Sequence, residues 1–293
     1  MAVVRLPPWM TGRPHAIGAA DPLKAELRRA GLVTVCEEAR CPNLAECFGR
    51  GVATFMILGD TCTRACAFCA VATGTPAPPD RSEPERLAQA AARMGLSHVV
   101  ITSVDRDDLP DGGAGQFVAA IRAVRKALPA ATVEVLTPDF QGNLQASLMV
   151  AEAGPEVFNH NLETVSRLYP DVRPGADYGG SLEVLAAVKE KFPHGVTKSG
   201  LMAGLGETDA ELIDLFRDLR ETGRCDVLTV GQYLRPTAAH RPVARYLTPA
   251  EFAGLKEKAL KMGFHHVSAG PRVRSSFNAG GLLAALRGRE GRQ

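Results

Sequence analysis

Residues 52–69 read VATFMILGDTCTRACAFC, an almost wholly apolar run that stops at Gly59 and opens into three close cysteines, Cys62, Cys66 and Cys69. Seven such residues, bounded by Gly-Asp, have the length of a buried strand rather than a helix. The pattern then repeats. Residues 99–103 (VVITS), 132–136, 157–160, 196–202 and 227–231 read as further strands. Residues 82–95, 116–128, 144–153, 181–192, 209–222 and 249–262 read as the helices between or after them. Ser82 opens the first helix with capping-box spacing to Glu85, and Gly95 stands where a C-cap glycine belongs. Strands alternating with long helices predict βαβ units and a parallel sheet. The pattern alone admits a barrel smaller than the eight-unit kind or an open doubly wound sheet. Either fold binds ligands beyond the carboxyl ends of its strands, where the cysteine loop lies.

Composition narrows the setting. The chain of 293 residues is 45% hydrophobic and 23% charged, which excludes wholesale disorder and a collagen-like repeat. Thirty-four Lys and Arg against 32 Asp and Glu leave a net charge of +2. No strong global field therefore draws the protein to nucleic acid or anionic lipid. No apolar run approaches the ~20 residues of a membrane helix. The first residues lack the apolar core of a secretory signal and are broken by Pro7, Pro8 and Pro14, so a cytoplasmic, reducing location is expected. Residues 1–50 do not join the strand–helix rhythm and are read as an N-terminal extension. Residues 51–265 form the α/β body, and 266–293 a short C-terminal segment with a polar tail, RGREGRQ.

Six of the seven cysteines fall between Cys36 and Cys69, and Cys225 stands alone. In a reducing compartment such clusters are more often metal ligands than disulfides. Spacing divides them into Cys36, Cys41 and Cys47 (C-x4-C-x5-C) and Cys62, Cys66 and Cys69 (C-x3-C-x2-C). Three thiolates on one loop hold three corners of an iron–sulfur cube whose full ligation takes four. The missing fourth leaves an iron open, as catalytic metal sites keep a position for water or substrate. Structural zinc on Cys66 and Cys69 is the plain alternative, but no histidine lies between His15 and His98 to complete it. The first triad lacks a local fourth ligand too. Different spacings in different settings favour two clusters over one six-thiolate site. Cys225 precedes an apolar strand and is expected in the core.

The C-x3-C-x2-C loop resembles that of the radical S-adenosylmethionine (SAM) enzymes, and the added run TVCEEARCPNLAECF (34–48) is similar to the lipoyl synthases. The likeness continues through LPPWM (6–10), TSVDRDDLPDGGA (102–114), FNHNLETV (158–165), TKSGLMAGLGET (197–208), VGQYLRPTAAHRPVARY (230–246) and GPRVRSSFNA (270–279). Biotin synthases share the second triad but lack the first and the terminal Arg-Ser-Ser. A metal-stabilised binding module is the non-enzymatic alternative.

The resemblance implies an α/β fold, a partial (βα)6 TIM-like barrel with N- and C-terminal extensions. It implies two 4Fe–4S clusters and S-adenosylmethionine as cofactors. Cys62, Cys66 and Cys69 would hold the cluster whose open iron is chelated by S-adenosylmethionine. Cys36, Cys41 and Cys47 would hold an auxiliary cluster completed by a serine of Arg274-Ser275-Ser276, with Ser276 assigned first and Ser275 second. Cys62, Cys66, Cys69 and Ser276 would be the catalytic set. Phe277 stands where the family pattern has tyrosine. The implied reaction is radical insertion of two sulfur atoms at carbons 6 and 8 of a protein-bound octanoyl-lysine. A 5′-deoxyadenosyl radical would abstract hydrogen, and the auxiliary cluster would be the sacrificial sulfur donor. Implied partners are octanoylated lipoyl carrier domains (2-oxoacid dehydrogenase acyltransferase subunits and the glycine cleavage carrier protein) and a flavodoxin or ferredoxin as electron donor. The implied state is a monomer.

Asn161 and Glu163 sit at the end of a predicted strand, where they are candidates to bond the ribose or amino-acid part of S-adenosylmethionine. A helix cap and a solvated carboxylate are the plain alternatives. Thr102, Asp105 and Lys198 are further candidates. Gly204-x-Gly206 is no full phosphate fingerprint. Arg272, Arg274, Arg287, Arg289 and Arg292 read as a solvated, basic C-terminal region, and His265 and His266 receive no role.

Overall fold

The computed structural model describes residues 6–11, 21–49, 52–276 and 279–281. Its strands are β1 (Val33–Thr34), β2 (Thr54–Ile57), β3 (Thr61–Cys62), β4 (Ala72–Thr73), β5 (His98–Ser103), β6 (Thr132–Leu136), β7 (Val157–Asn159), β8 (Val196–Ala203), β9 (Val227–Gln232) and β10 (His266–Gly270). Its helices are α1 (Asp21–Arg29), α2 (Val35–Glu38), α3 (Leu44–Gly49), α4 (Glu83–Arg93), α5 (Ala114–Ala127), α6 (Leu144–Glu152), α7 (Tyr169–Val172), α8 (Tyr178–Lys191), α9 (Asp209–Glu221) and α10 (Pro249–Lys261).

Eight strands join in the order β1-β2-β5-β6-β7-β8-β9-β10, while β3 and β4 form a separate two-stranded ribbon. From β2 to β10 every pairing in the large sheet is parallel, and β1 lies antiparallel at its edge. Every residue of β2 and of β9 is buried, as strands covered on both faces require. Strands that follow one another in sequence order with helical crossovers wind in one sense and form a partial barrel. The six expected strands are all present. A seventh parallel strand joins them, because β10 pairs with β9 from His266↔Val227 to Gly270↔Gly231. The body therefore extends past residue 265. The polar His266 and Ser268 interrupt the apolar run that marked the other strands.

The N-terminal extension is also built into the body. Leu23, Leu27, Leu32 and Phe48 share one apolar core with residues of β2, β5 and β6. Thr208 and Thr248 start α9 and α10 with reciprocal capping boxes to Glu211 and Glu251. The box expected at Ser82 is not made: its backbone is already helical (φ −91°, ψ −9°), and its hydroxyl accepts from Arg86 and donates to Asp80 Oδ1 at 2.7 Å. Gly95 closes α4 at φ +63° as expected. Since the strands are parallel, the segments that follow them gather at one rim. Among these are the cysteine loop after β2, the turns after β5, β6 and β7, and residues 271–276 after β10.

Candidate functional site

Two neighbouring cavities open at this rim. The smaller, about 150 Å³, is lined by Cys62, Cys66 and Cys69 with Thr102, Asp105, His160, Asn161, Glu163 and Arg173. The larger, about 420 Å³, is lined by Cys36, Cys41 and Cys47 with Cys69, Arg274, Ser275 and Ser276. Val35, Phe68, Cys69, Leu136, Asn161 and Glu163 border both. The two triads therefore face one depression with a shared wall.

The chain's own hydrogen bonds hold the cysteine loop. Thr63 Oγ1 donates to the Asp105 carbonyl at 3.0 Å, and the Ala67 amide donates to the Val172 carbonyl at 2.9 Å. From the loop after β9, the Arg241 amide donates to the Ala67 carbonyl, and the His240 ring meets the Cys69 carbonyl at 2.8 Å. Arg64 makes the strongest tie. Its guanidinium is bidentate to Asp107 at 2.7 and 2.9 Å and to Asp139 at 2.8 and 2.7 Å. Such forked pairs fix geometry as well as energy. Sequence reading missed Arg64, although it lies inside the C-x3-C-x2-C loop and Asp107 lies in the quoted TSVDRDDLPDGGA run.

The auxiliary triad and the C-terminal serines, remote in sequence, are brought together. Asn43, between Cys41 and Cys47, donates to the Arg272 carbonyl at 2.7 Å. The N-terminal LPPWM segment joins them: Trp9 Nε1 donates to the Leu247 carbonyl at 3.1 Å, and Arg272 reaches the Met10 carbonyl at 3.4 Å. Gly231 makes this approach possible, since a Cβ there would run into the Val273 carbonyl oxygen.

None of the seven cysteines forms a disulfide. Burial pushes the Cys36 and Cys66 thiols up to about 12 and Cys69 up to about 11, and raises Cys62 as well. The protein alone thus prefers neutral thiols here. A bound metal group reverses that preference, since a coordinating thiol is deprotonated outright. Among the described residues no three His, Cys, Asp or Glu side chains converge as a single ion would require. A cube takes each thiolate on a different iron and accommodates wider spacing.

The other candidates separate clearly. Burial raises the Asp105 carboxyl against the pull of Arg64, and the Cys62 Sγ lies 3.6 Å from its Oδ2. Asn161 Nδ2 donates to Glu163 Oε1 at 2.8 Å, and burial raises that carboxyl against the pull of Arg173. The Thr102 hydroxyl donates to the Leu136 carbonyl at 2.9 Å, tying two strand ends together at the cavity wall. Lys198 lines neither cavity; its Nζ donates to Glu134 Oε1 at 2.8 Å in a buried ion pair. Its early position in β8 directs it into the barrel rather than to the rim. Cys225 is fully buried in the apolar core as expected. Phe277, Arg287, Arg289 and Arg292 lie outside the described residues.

Comparison with known proteins identifies the class. A family model described as the radical SAM superfamily matches residues 56–219. The chain is a radical SAM enzyme, a class that works with a 4Fe–4S cluster and S-adenosylmethionine. The fold agrees with SuiB of Streptococcus suis bound to S-adenosylmethionine (TM-score 0.56, 14% identity, 78% of this chain and 54% of that one). It also agrees with methylornithine synthase PylB (TM-score 0.54, 14% identity, 88% of this chain and 80% of that one). Lipoyl synthase of Thiobacillus denitrificans is 56% identical over 282 residues, covering 96% of this chain and 90% of the relative. Lipoyl synthase of Rubrobacter xylanophilus is 57% identical over 274 residues, covering 93% and 85%. The chain belongs to the lipoyl synthases, and is thus a sulfur-inserting radical enzyme. Among the described residues no helix is long and apolar enough to cross a membrane.

Proposed function

We propose that Cys62, Cys66 and Cys69 hold the 4Fe–4S cluster that binds S-adenosylmethionine in the smaller cavity. The larger cavity holds a second cluster on Cys36, Cys41, Cys47 and Ser276 and receives the octanoyl chain. The observation that supports this division is the shared wall of Val35, Phe68, Cys69, Leu136, Asn161 and Glu163 between cavities that each carry one triad. When bound, the cofactors supply hydrogen removal from saturated carbon and the sulfur for carbons 6 and 8, chemistry beyond side-chain acids and bases.

The chain's own residues bind, orient and exclude water. Val35, Phe68, Leu136, Tyr233 and Leu234 give the larger cavity an apolar lining suited to a saturated chain. Arg64 keeps the three thiols of the barrel loop in place. Asp105, Asn161 and Glu163 present polar groups to S-adenosylmethionine, and Thr102 fixes the strand end beside them. Ser275 already spends its hydroxyl on Asn159 and Asn161, which favours Ser276 as the auxiliary ligand. An alkoxide is a harder ligand than thiolate and makes that corner the easier to release.

The substrate is an octanoyl-lysine on a lipoyl carrier protein. Acyltransferase subunits of 2-oxoacid dehydrogenases and the glycine cleavage carrier are the carriers we infer, with flavodoxin or ferredoxin as donor to a cytoplasmic monomer. Replacing Cys62, Cys66 or Cys69 by Ala should abolish cleavage of S-adenosylmethionine. Replacing Cys36, Cys41 or Cys47 should leave cleavage measurable and stop sulfur insertion into an octanoyl-lysine peptide. Either set should lower iron from about eight to about four per chain. Equal loss of cleavage from both sets, with folding intact, contradicts the division. Ser276→Ala should alter the auxiliary-cluster spectrum, and an unchanged spectrum rejects that ligand.

A further inference from the structure

Six polar side chains run in an unbroken line through the barrel. Lys198 Nζ donates to Glu134 Oε1 at 2.8 Å, and Asn159 Nδ2 donates to the same oxygen at 3.3 Å. Asn159 Nδ2 also donates to Ser275 Oγ at 2.7 Å. Ser275 Oγ donates to Asn161 Oδ1 at 2.9 Å, and Asn161 Nδ2 donates to Glu163 Oε1 at 2.8 Å. Lys198, Glu134 and Asn159 are each at most 1% exposed. The line starts deep in the sheet and ends at the wall between the two cavities.

Its direction is dictated by chemistry. An ammonium only donates, a carboxylate only accepts, and an amide has one end of each kind. Lys198 keeps Glu134 ionised: burial pushes that carboxyl up, but Lys198 and His98 more than offset it. The carboxylate therefore turns the NH2 of Asn159 toward itself and toward Ser275. The Ser275 hydroxyl, already accepting from Asn159, can place its one proton only on Asn161 Oδ1. That in turn points the Asn161 NH2 at Glu163. Two observations support this fixed sense. The opposite Asn159 amide orientation would set Oδ1 against the Glu134 carboxylate oxygen, acceptor to acceptor, so the NH2 stays on that side even though Oδ1 is then buried without a partner. A Cβ at Gly200 would lie 2.8 Å from Asn161 Oδ1, so the backbone has made room for this amide.

We propose that this line is an orientation relay in which Ser275 positions the Asn161 amide and the Glu163 carboxylate. The polar groups of the wall shared with the S-adenosylmethionine cavity are then oriented only when Ser275 is seated against Asn159 and Asn161. Ser275 and Asn159 are positioning residues, and the proposal rests on the reading of Asn161 and Glu163 as cofactor contacts given above. It assigns the two adjacent serines, both lining the larger cavity, different tasks: Ser276 to the auxiliary cluster, Ser275 to the Asn161–Glu163 wall shared with the smaller cavity.

The test has two arms. In anaerobically reconstituted protein, Ser275→Ala should weaken S-adenosylmethionine binding about tenfold, the scale of one hydrogen bond, with iron per chain unchanged. Ser275→Thr keeps the hydroxyl and should restore binding to within about twofold of the parent. Loss of iron in Ser275→Ala would make Ser275 a cluster ligand and overturn the relay, as would unchanged affinity. In the second arm, hydrogen exchange is followed in the metal-free protein. Ser275→Ala and Asn159→Ala should each raise exchange in residues 272–276 and in 159–163 together. Release of 272–276 alone overturns the proposal. This arm needs no cluster and no turnover, so its failure is distinguishable from failure of the cofactor assignment.

Discussion

The Arg64 guanidinium and the Asp139 carboxylate form a buried, two-pronged ion pair, 2.7 and 2.8 Å between heavy atoms. It links the middle of the cysteine loop to the turn after β6, and the same guanidinium holds Asp107 after β5. Three rim segments thus meet on one side chain. Arg64→Met leaves Asp139 buried without its cation, and unfolding free energy should fall by about 3–5 kcal/mol. Urea denaturation of the metal-free protein measures this directly. A loss below about 0.5 kcal/mol would show that the pair does not organise the loop.

Gly231 carries a second expectation. With a Cβ in the path of the Val273 carbonyl, Gly231→Ala must shift either β9 or the segment after β10. Overpacking of this kind costs about 1–3 kcal/mol. The damage should concentrate on the auxiliary site, so iron per chain should fall more than melting temperature does. Full iron loading in the variant would mean that residues 272–276 are not needed to seat that cluster.

Lys198 carries a third expectation, through its buried pair with Glu134. Lys198→Met strands the Glu134 carboxylate in the barrel and should destabilise by about 3–5 kcal/mol. The double variant Lys198→Met/Glu134→Leu removes both charges and should recover most of the loss, as replaced buried pairs often do. Equal instability of the single and double variants in denaturant titrations would refute the ion-pair account.

The start of α9 gives a pH signature. Hydrogen bonds from Arg167, then from the Thr208 amide, hold the Glu211 carboxyl at about 2, below its usual 4.5. A depressed carboxyl stabilises the fold above its unfolded value and loses that contribution as pH falls toward the folded one. Glu211→Gln should therefore lower the urea midpoint at pH 7. The gap from the parent should narrow below about pH 4.5 and close near 2. A gap independent of pH would assign the effect to shape rather than charge.

Local signals carried much of this molecule. Apolar runs with the right length located six strands, and spacing alone split six cysteines into two triads. The features that escaped are those set by partners distant along the chain. HVSAG is too polar in alternate positions to announce β10, and only its register against β9 makes it a strand. Ser82 has the spacing of a capping box, yet its backbone is helical and its hydroxyl accepts from Arg86, four residues on, instead of the Glu85 amide. Nothing in TKSG shows that Lys198 turns into the barrel, because its partner Glu134 lies 64 residues away. Arg64 and Asn159 have no local signature, since their meaning comes from the groups that surround them after folding.

The bond between Asn43 and Arg272 spans 229 residues of sequence, and this separation orders events during synthesis. At about 5–20 residues per second, roughly 10–45 s of translation separates the two ends of that bond. The barrel loop with Cys62, Cys66 and Cys69 needs partners no later than Arg241, so its frame is available sooner. Throughout that interval Cys36, Cys41 and Cys47 are exposed to the cell without the segment that closes over them. The barrel loop thus has its last partner, Arg241, about 31 residues of synthesis before Arg272 reaches Asn43.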